Sequence, residues 1–369
     1  MSVLFSLLAL SPFYAPVEDQ QVAPDFATVL VRIEESRSKL RSAKVEETST
    51  LMETGDRPVK LRKEVKYNRT YQFDYDTHRY RLDEMQEWNF IEGPGFDKLK
   101  PRVLGGIHIL TPDQRIDKPL DARRVQISVG NGLPQMLDLR LIGFIAPDDM
   151  ERPTSFTEFF EQLKGIADST VYRKATSMDG ESVILRMERD IGGFIVARRV
   201  WVDPRQDWVP LRFLEERLVK TLDGTKLLAV QAETNVTWQE MAGAVVPVSF
   251  LGRNNVINSE DNSVSVSREL STSLSWTRVN DTLDDSAFLL SSIDNPPGSH
   301  VIVDTTSGTP IRVQDPAVPD ARQLKALVTA APASAPALSR NALLLIIAQV
   351  IVVVALAAGV KRLYYSRSA

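Results

Sequence analysis

The side chains able to do chemistry are few in this chain and stand apart. Its three histidines, His78, His108 and His300, lie in unrelated stretches, so no ligand spacing suggests a metal site. Cysteine is absent, which removes disulfides, thiolate metal ligands and a cysteine nucleophile together. Asp74, Asp76 and His78 alternate and could ligate a cation, yet a polar hairpin turn needs the same residues. Asp284 and Asp285 are adjacent, and adjacent residues of an extended chain point to opposite faces, which disfavours shared acid–base work. No GxSxG elbow, GxxxxGK[ST] loop or HExxH helix occurs, and the glycines Gly130 and Gly132 lack the third glycine of a dinucleotide loop. The sequence therefore argues against an enzyme and assigns no catalytic residue, cofactor or metal.

What does stand out is apolar. Ser155 and Glu158 form a capping box, and behind it Phe156, Phe159, Phe160, Leu163 and Ile166 fall at helical spacing. Farther on, Val183, Leu185 and Met187 alternate along one expected strand and Phe194 and Val196 along the next. Such a wall closes a core or lines a cavity for an apolar ligand. Phe156, Phe159, Phe160, Val183, Leu185, Met187, Phe194 and Val196 are accordingly the candidate ligand-lining residues.

The elements that must position them follow from periodicity. Pro24 and Asp25 open a helix that packs through Phe26, Val29, Leu30, Ile33 and Leu40, with Arg32, Glu34, Glu35, Arg37 and Lys39 on a wet side. From Val45 the period becomes two. Val65, Tyr67, Tyr71, Phe73 and Tyr75 alternate with polar residues, the chain turns at Asp76 and Thr77, and Tyr80 and Leu82 resume the pattern, which predicts a long hairpin with one dry face. A meander follows residue 180, and the whole adds up to about ten or eleven strands with two helices. Short turns between them favour antiparallel pairing, since parallel crossovers need a dozen or more residues.

The C-terminal end is of another kind. Ala342 to Val360 carries no charge, and at about 1.5 Å per residue it makes a helix roughly 28 Å long, enough for a bilayer's hydrocarbon core. It is read as one transmembrane helix, approached through a flexible Pro/Ala/Ser/Thr-rich spacer over 305–340 and followed by a tail over 361–369. Residues 1–15 are apolar but lack a basic start, and are read as a signal peptide. Flanking cations are balanced, with Arg322, Lys325 and Arg340 before the helix and Lys361, Arg362 and Arg367 after it. Orientation then rests on the leader, which places the bulk of the chain outside the cytoplasm, in the periplasm, and the tail in the cytoplasm. A net charge of −4 and the lack of a basic cluster exclude nucleic acid as a partner.

Taken in order, the N-terminal helix, the hairpin, the middle helix, the strands VWVDPRQDWVPLRFLEE and TWQEMAGAVVPVSF, and the ending DDSAFLLSSIDNPPGSHVIVD resemble the bacterial periplasmic lipoprotein-carrier superfamily, the LolA/LolB-like fold. The likeness covers residues 24–304. It implies a mainly β domain: an antiparallel half-barrel wrapped around amphipathic helices, whose apolar concave face holds acyl chains without catalysis. Soluble carriers diffuse between membranes, whereas this chain is expected to be held by its own C-terminal helix. The expected partner is a membrane lipid or an acylated protein. The alternative is an envelope sensor or scaffold that contacts another envelope protein.

Overall fold

The computed structural model describes residues 25–54, 62–92, 101–129, 138–146, 155–165, 168–176, 180–191, 194–220, 226–257, 264–294, 299–304 and 311–313. The first helix, α1 (Phe26–Ser38), starts where the Asp25 carboxylate accepts the Thr28 amide at 3.1 Å, satisfying a donor that has no partner inside the helix. Val29, Leu30 and Ile33 are buried as their spacing predicts.

Among the described residues fifteen strands follow, more than periodicity alone distinguishes. They are β1 (Ser42–Thr54), β2 (Arg62–Asp74), β3 (Arg79–Glu92), β4 (Arg102–Leu110), β5 (Gln114–Pro119), β6 (Arg124–Val129), β7 (Asp168–Thr176), β8 (Gly180–Ile191), β9 (Phe194–Asp203), β10 (Val209–Lys220), β11 (Lys226–Met241), β12 (Ala244–Ile257), β13 (Val264–Thr277), β14 (His300–Asp304) and β15 (Ile311–Val313). All belong to one sheet, in the order β15-β14-β6-β5-β4-β3-β2-β1-β13-β12-β11-β10-β9-β8-β7. Two meanders make it. The first runs outward from β1 to β6; the second starts at the far edge with β7 and returns to β13, which pairs antiparallel with β1. Every pairing among these strands is antiparallel except β6 with β14, which are parallel. That exception follows from connectivity, because more than a hundred residues separate the two strands and a short turn is not required.

Between the meanders lie a 3₁₀ turn at Leu139–Leu141 and α2 (Phe156–Lys164), which Ser155 caps by accepting the Glu158 amide. Residues 138–146 press closely on β10. Gly143 has φ +88°, and a Cβ there would meet the Pro210 ring at 2.7 Å. Both helices and this turn cover one face of the sheet, here termed the inner face, in a single core that includes Leu30, Ile33, Phe73, Leu141, Phe144, Phe160, Val200, Phe213 and Trp276. Strand β4 feeds two cores from alternate positions: Leu110 joins this one, and Ile109 a smaller one on the opposite face with Ile116, Ile127, Phe288 and Val303.

Two expectations change. Arg37 is not on a wet side of α1: it is 1% exposed, because its long stem reaches the Arg140 and Val245 carbonyls at 3.1 and 2.7 Å and its guanidinium lies 4.5 Å from the Trp238 ring centre. And Ile311–Val313, within the expected spacer, pairs with β14 as an edge strand, the alternation Ile-Arg-Val sufficing for three residues. The leader over 1–15, the apolar stretch from Ala342 to Val360 and the tail lie outside the described residues. Among the described residues no helix is long and apolar enough to cross a membrane.

Candidate functional site

The inner face is banded. At the helix-covered end lie the apolar residues singled out in the sequence. Phe156, Phe159 and Phe160 descend from α2, the Phe160 ring packing at 4.8 Å on Phe156, 5.6 Å on Phe159 and 5.8 Å on Phe144. Val183, Leu185 and Met187 rise from β8 on the same side, opposite Val202, Val200 and Arg198 of β9. These six side chains share one packed core. Val196 follows the same phase along β9 and is half-buried; the Phe194 side chain lies outside what is described.

Next along the strands comes a polar belt. Glu47, Arg69 and Glu84 stand opposite one another on β1, β2 and β3, in the phase that elsewhere carries Val45, Tyr71 and Leu82. Arg69 donates from Nη1 to Glu47 at 3.3 Å and from Nε to Glu84. The Tyr71 and Ser49 hydroxyls both donate to Glu47, and Ser49 lies 2.7 Å from the Thr272 hydroxyl on β13. Burial opposes the charge on Arg69, yet Tyr71, Glu47 and Glu84 hold its pKa well above the ordinary value. The sequence does carry a signal for this belt. Within Val45-Glu46-Glu47-Thr48 a strict count by twos separates the two glutamates: residues 45, 47, 49 and 51 present Val, Glu, Ser and Leu inward, and Glu46 points out.

Beyond the belt the face is apolar again, with Leu51, Val65 and Tyr67 buried and Trp88 and Leu270 packed on them. Long cationic side chains lie over the rings, Arg69 at 4.1 Å from Tyr67 and Lys63 at 3.9 Å from Trp88. An outer charged row ends the sequence of bands: Glu53 forms ion pairs with Lys63 at 2.7 Å and Arg268 at 3.2 Å, the three residues being register neighbours across β2, β1 and β13. The histidines stay apart. His78 sits in the β2–β3 turn, His108 pairs with Asp117 at 2.6 Å on the β4–β5 wing, and His300 opens β14. Asp74 accepts the Asp76 and Thr77 amides, the turn role its sequence context suggested, and Asp284 caps a 3₁₀ turn through the Ser286 amide.

Solved structures that resemble this arrangement are distant in sequence. The chain is similar to a LolA superfamily protein. That structure, from Nitrosomonas europaea, has 12% sequence identity and a TM-score of 0.36, covering 73% of this chain and 100% of the other. A DUF1329 family protein from Desulfovibrio piger follows at 11% identity and 0.33, over 72% of this chain and 97% of its own. An uncharacterized conserved protein from Thermus thermophilus has 13% identity and a TM-score of 0.25, over 75% and 98%. No family model and no curated protein matches the sequence. The first of these structures belongs to the superfamily that the sequence resembles, and at this distance the likeness transfers no residue role.

The buried phenols around the belt set an alkaline limit. Burial raises Tyr71, Tyr75 and Tyr80 well above the ordinary tyrosine value, helped by Glu47 for Tyr71 and Tyr80 and by Asp138 for Tyr75. The unfolded chain therefore releases these protons from about pH 10 while the folded chain keeps them, so stability is full below that pH and falls above it. Arg37 acts in the opposite sense, because burial pushes its pKa down to about 10 and the folded state then releases its proton first. Three groups against one leave the fall dominant, so the net change above about pH 10 is a loss of stability. Thermal unfolding scans at stepped alkaline pH are expected to show this fall, and Tyr80→Phe to make it shallower by one proton; an unchanged slope in that variant would show that Tyr80 takes no part in it.

Proposed function

We propose that this chain is a membrane-tethered, extracytoplasmic domain that holds the acyl chain of a lipid or of an acylated protein on its inner face and catalyses nothing. One observation carries the reading: along a single face the second apolar band lies between a polar belt and a charged row, so an acyl chain laid on it would meet apolar side chains along its length and polar groups at its end. The second apolar band, Leu51, Val65, Tyr67, Trp88 and Leu270, is roofed by flexible cationic side chains and not by either helix, so a chain can enter it by displacing Lys63 from Trp88. The first band is reached only if α2 lifts. The apolar stretch from Ala342 to Val360 supplies the tether, and the leader over 1–15 the export.

The test is direct. Full-length protein purified in mild detergent is expected to carry a lipid-sized adduct in native mass spectrometry and to take up a fluorescent fatty acid. Apo protein alone, with no uptake, would end the proposal. A second reading, a scaffold for another envelope protein, draws on Met85 and Val103, large apolar residues on one face of the β3–β4 wing left 43% and 48% exposed. Photo-crosslinking from position 103 in whole cells should then yield one discrete adduct, and a smear or nothing would count against it.

A further inference from the structure

On the inner face of β11 and β12, beside the second apolar band, two buried polar atoms have no partner among the described residues. They are Thr234 Oγ1, in a residue wholly shielded from solvent, and Asn254 Oδ1, in a residue 8% exposed. Register places them diagonally. Thr234 stands opposite Gly252 and Ala232 opposite Asn254, so the four form a square with the polar residues at two corners and the two smallest side chains at the others. Cross-strand diagonal positions lie roughly 7–8 Å apart, the span a single polar group can bridge with one hydrogen bond to each side. The rows continue into the second apolar band and the charged row: Gly252 faces Leu270, which faces Leu51, and Asn254 faces Arg268, which faces Glu53. On the other side the square is closed by Phe213, opposite Thr234, and by Glu215, opposite Ala232, whose carboxylate is bound to Arg198 at 2.7 Å.

A buried hydroxyl and a buried amide oxygen left unpaired are both costly, and native structures seldom keep two so close together without a guest. A β-bulge lies beside Asn254: β13 carries the extra residue Ser267 there, whose hydroxyl donates to the Asn254 carbonyl at 3.1 Å, and bulges of this kind locally bend a sheet where a site is built. We infer that the Thr234–Asn254 square is the head-group notch of the acyl site, selecting amphiphiles whose polar end donates hydrogen bonds, such as the hydroxyls of an acylglycerol. Asn254 Oδ1 can only accept, and the Thr234 hydroxyl can accept as well as donate. The two smallest side chains stand at the corners where a head group would lie, Leu270 and Leu51 continue the row along which the chain would run, and Arg198 neutralises Glu215, the carboxylate beside the square, which suits an uncharged donor. This inference rests on the reading of the inner face as a lipid site.

The experiment uses the full-length protein in mild detergent and reads quenching of its tryptophans by a brominated chain, presented either as a monoacylglycerol or as its methyl ester, which has no donor. The wild type is expected to bind the monoacylglycerol about tenfold tighter, the worth of one or two hydrogen bonds. Thr234→Val with Asn254→Leu keeps shape and removes both acceptors; the ester is expected to bind as before and the monoacylglycerol preference to vanish. Equal wild-type binding of the two probes overturns the notch and leaves the acyl site standing. A preference that survives in the double variant overturns it as well, and binding of neither probe by the wild type overturns both readings together. A variant that fails to fold is recognised by its far-ultraviolet spectrum, and Thr234→Val alone, which is expected to lose part of the preference, then decides.

Discussion

Phe160→Ala is expected to lower the unfolding free energy by about 3–5 kcal/mol, the range for emptying a buried aromatic site. The ring is fully buried and touches three other phenylalanines, so its loss removes both the area withdrawn from water and the ring contacts that hold α2 on the sheet. Its further value is that it separates two roles for the aromatic face of α2. If the face is core, the variant is weakened by the same amount with or without a fatty acid. If α2 lifts to admit a chain, the vacated volume is occupied by ligand, and saturating fatty acid should return about 2.7 kcal/mol at roughly a hundredfold excess over its dissociation constant. Urea unfolding followed by tryptophan fluorescence, with and without oleate, measures the difference; no loss in either condition would mean that Phe160 does not hold the helix at all.

How far the sequence reveals this molecule depends on whether period and phase coincide. They do on α1 and α2, whose caps Asp25 and Ser155 and buried residues stand where spacing predicts, and on the β2–β3 hairpin with its turn at residues 75–78. They do less well across the sheet as a whole. A bulge at Gln231 shifts the phase of β11 and one at Val248 that of β12, and β14 and β15 are too short for alternation to register, so the strand count is underestimated and the one parallel pair is missed. Of the candidate site, the six apolar residues on α2 and β8 are brought together, but nothing in their types distinguishes a filled core from a lining. The polar belt escaped because charges are counted as surface by default. Arg37 and Glu47 are buried, and Arg69 largely so, through partners on other elements 15 to 208 positions away, and such partners exist only once the strands are in register. The unpartnered pair Thr234 and Asn254 lies deeper still, since neither the missing partner nor the diagonal placement leaves a trace in local pattern.

The belt also makes the second large prediction. Glu47→Leu should destabilise the protein by about 3–5 kcal/mol, the penalty for removing one member of a buried ionic group. The loss is not the carboxylate's own attraction. It is what remains: the Tyr71 hydroxyl without an acceptor, and Arg69 largely shielded from water with Glu84 alone. Glu47→Gln keeps an acceptor in place and should cost only about 1–3 kcal/mol, the worth of hydrogen bonds to a charged group. The decisive variant is the triple one, Glu47→Leu, Arg69→Met and Glu84→Leu, which takes away all the charges at once. Because desolvating three ionised groups offsets much of what their pairing gains, the triple variant should be more stable than Glu47→Leu alone, despite carrying two further changes. On the proposed function it should also join the two apolar bands of the inner face into one, so that acyl chains bind without regard to length, where the native belt would stop a chain at Tyr67. A triple variant less stable than the single one would make the belt a stabilising network; greater stability with lost chain-length preference would assign it to selecting the ligand. The buried charges would then be retained for what they exclude, at the expense of some stability that an apolar face would have supplied.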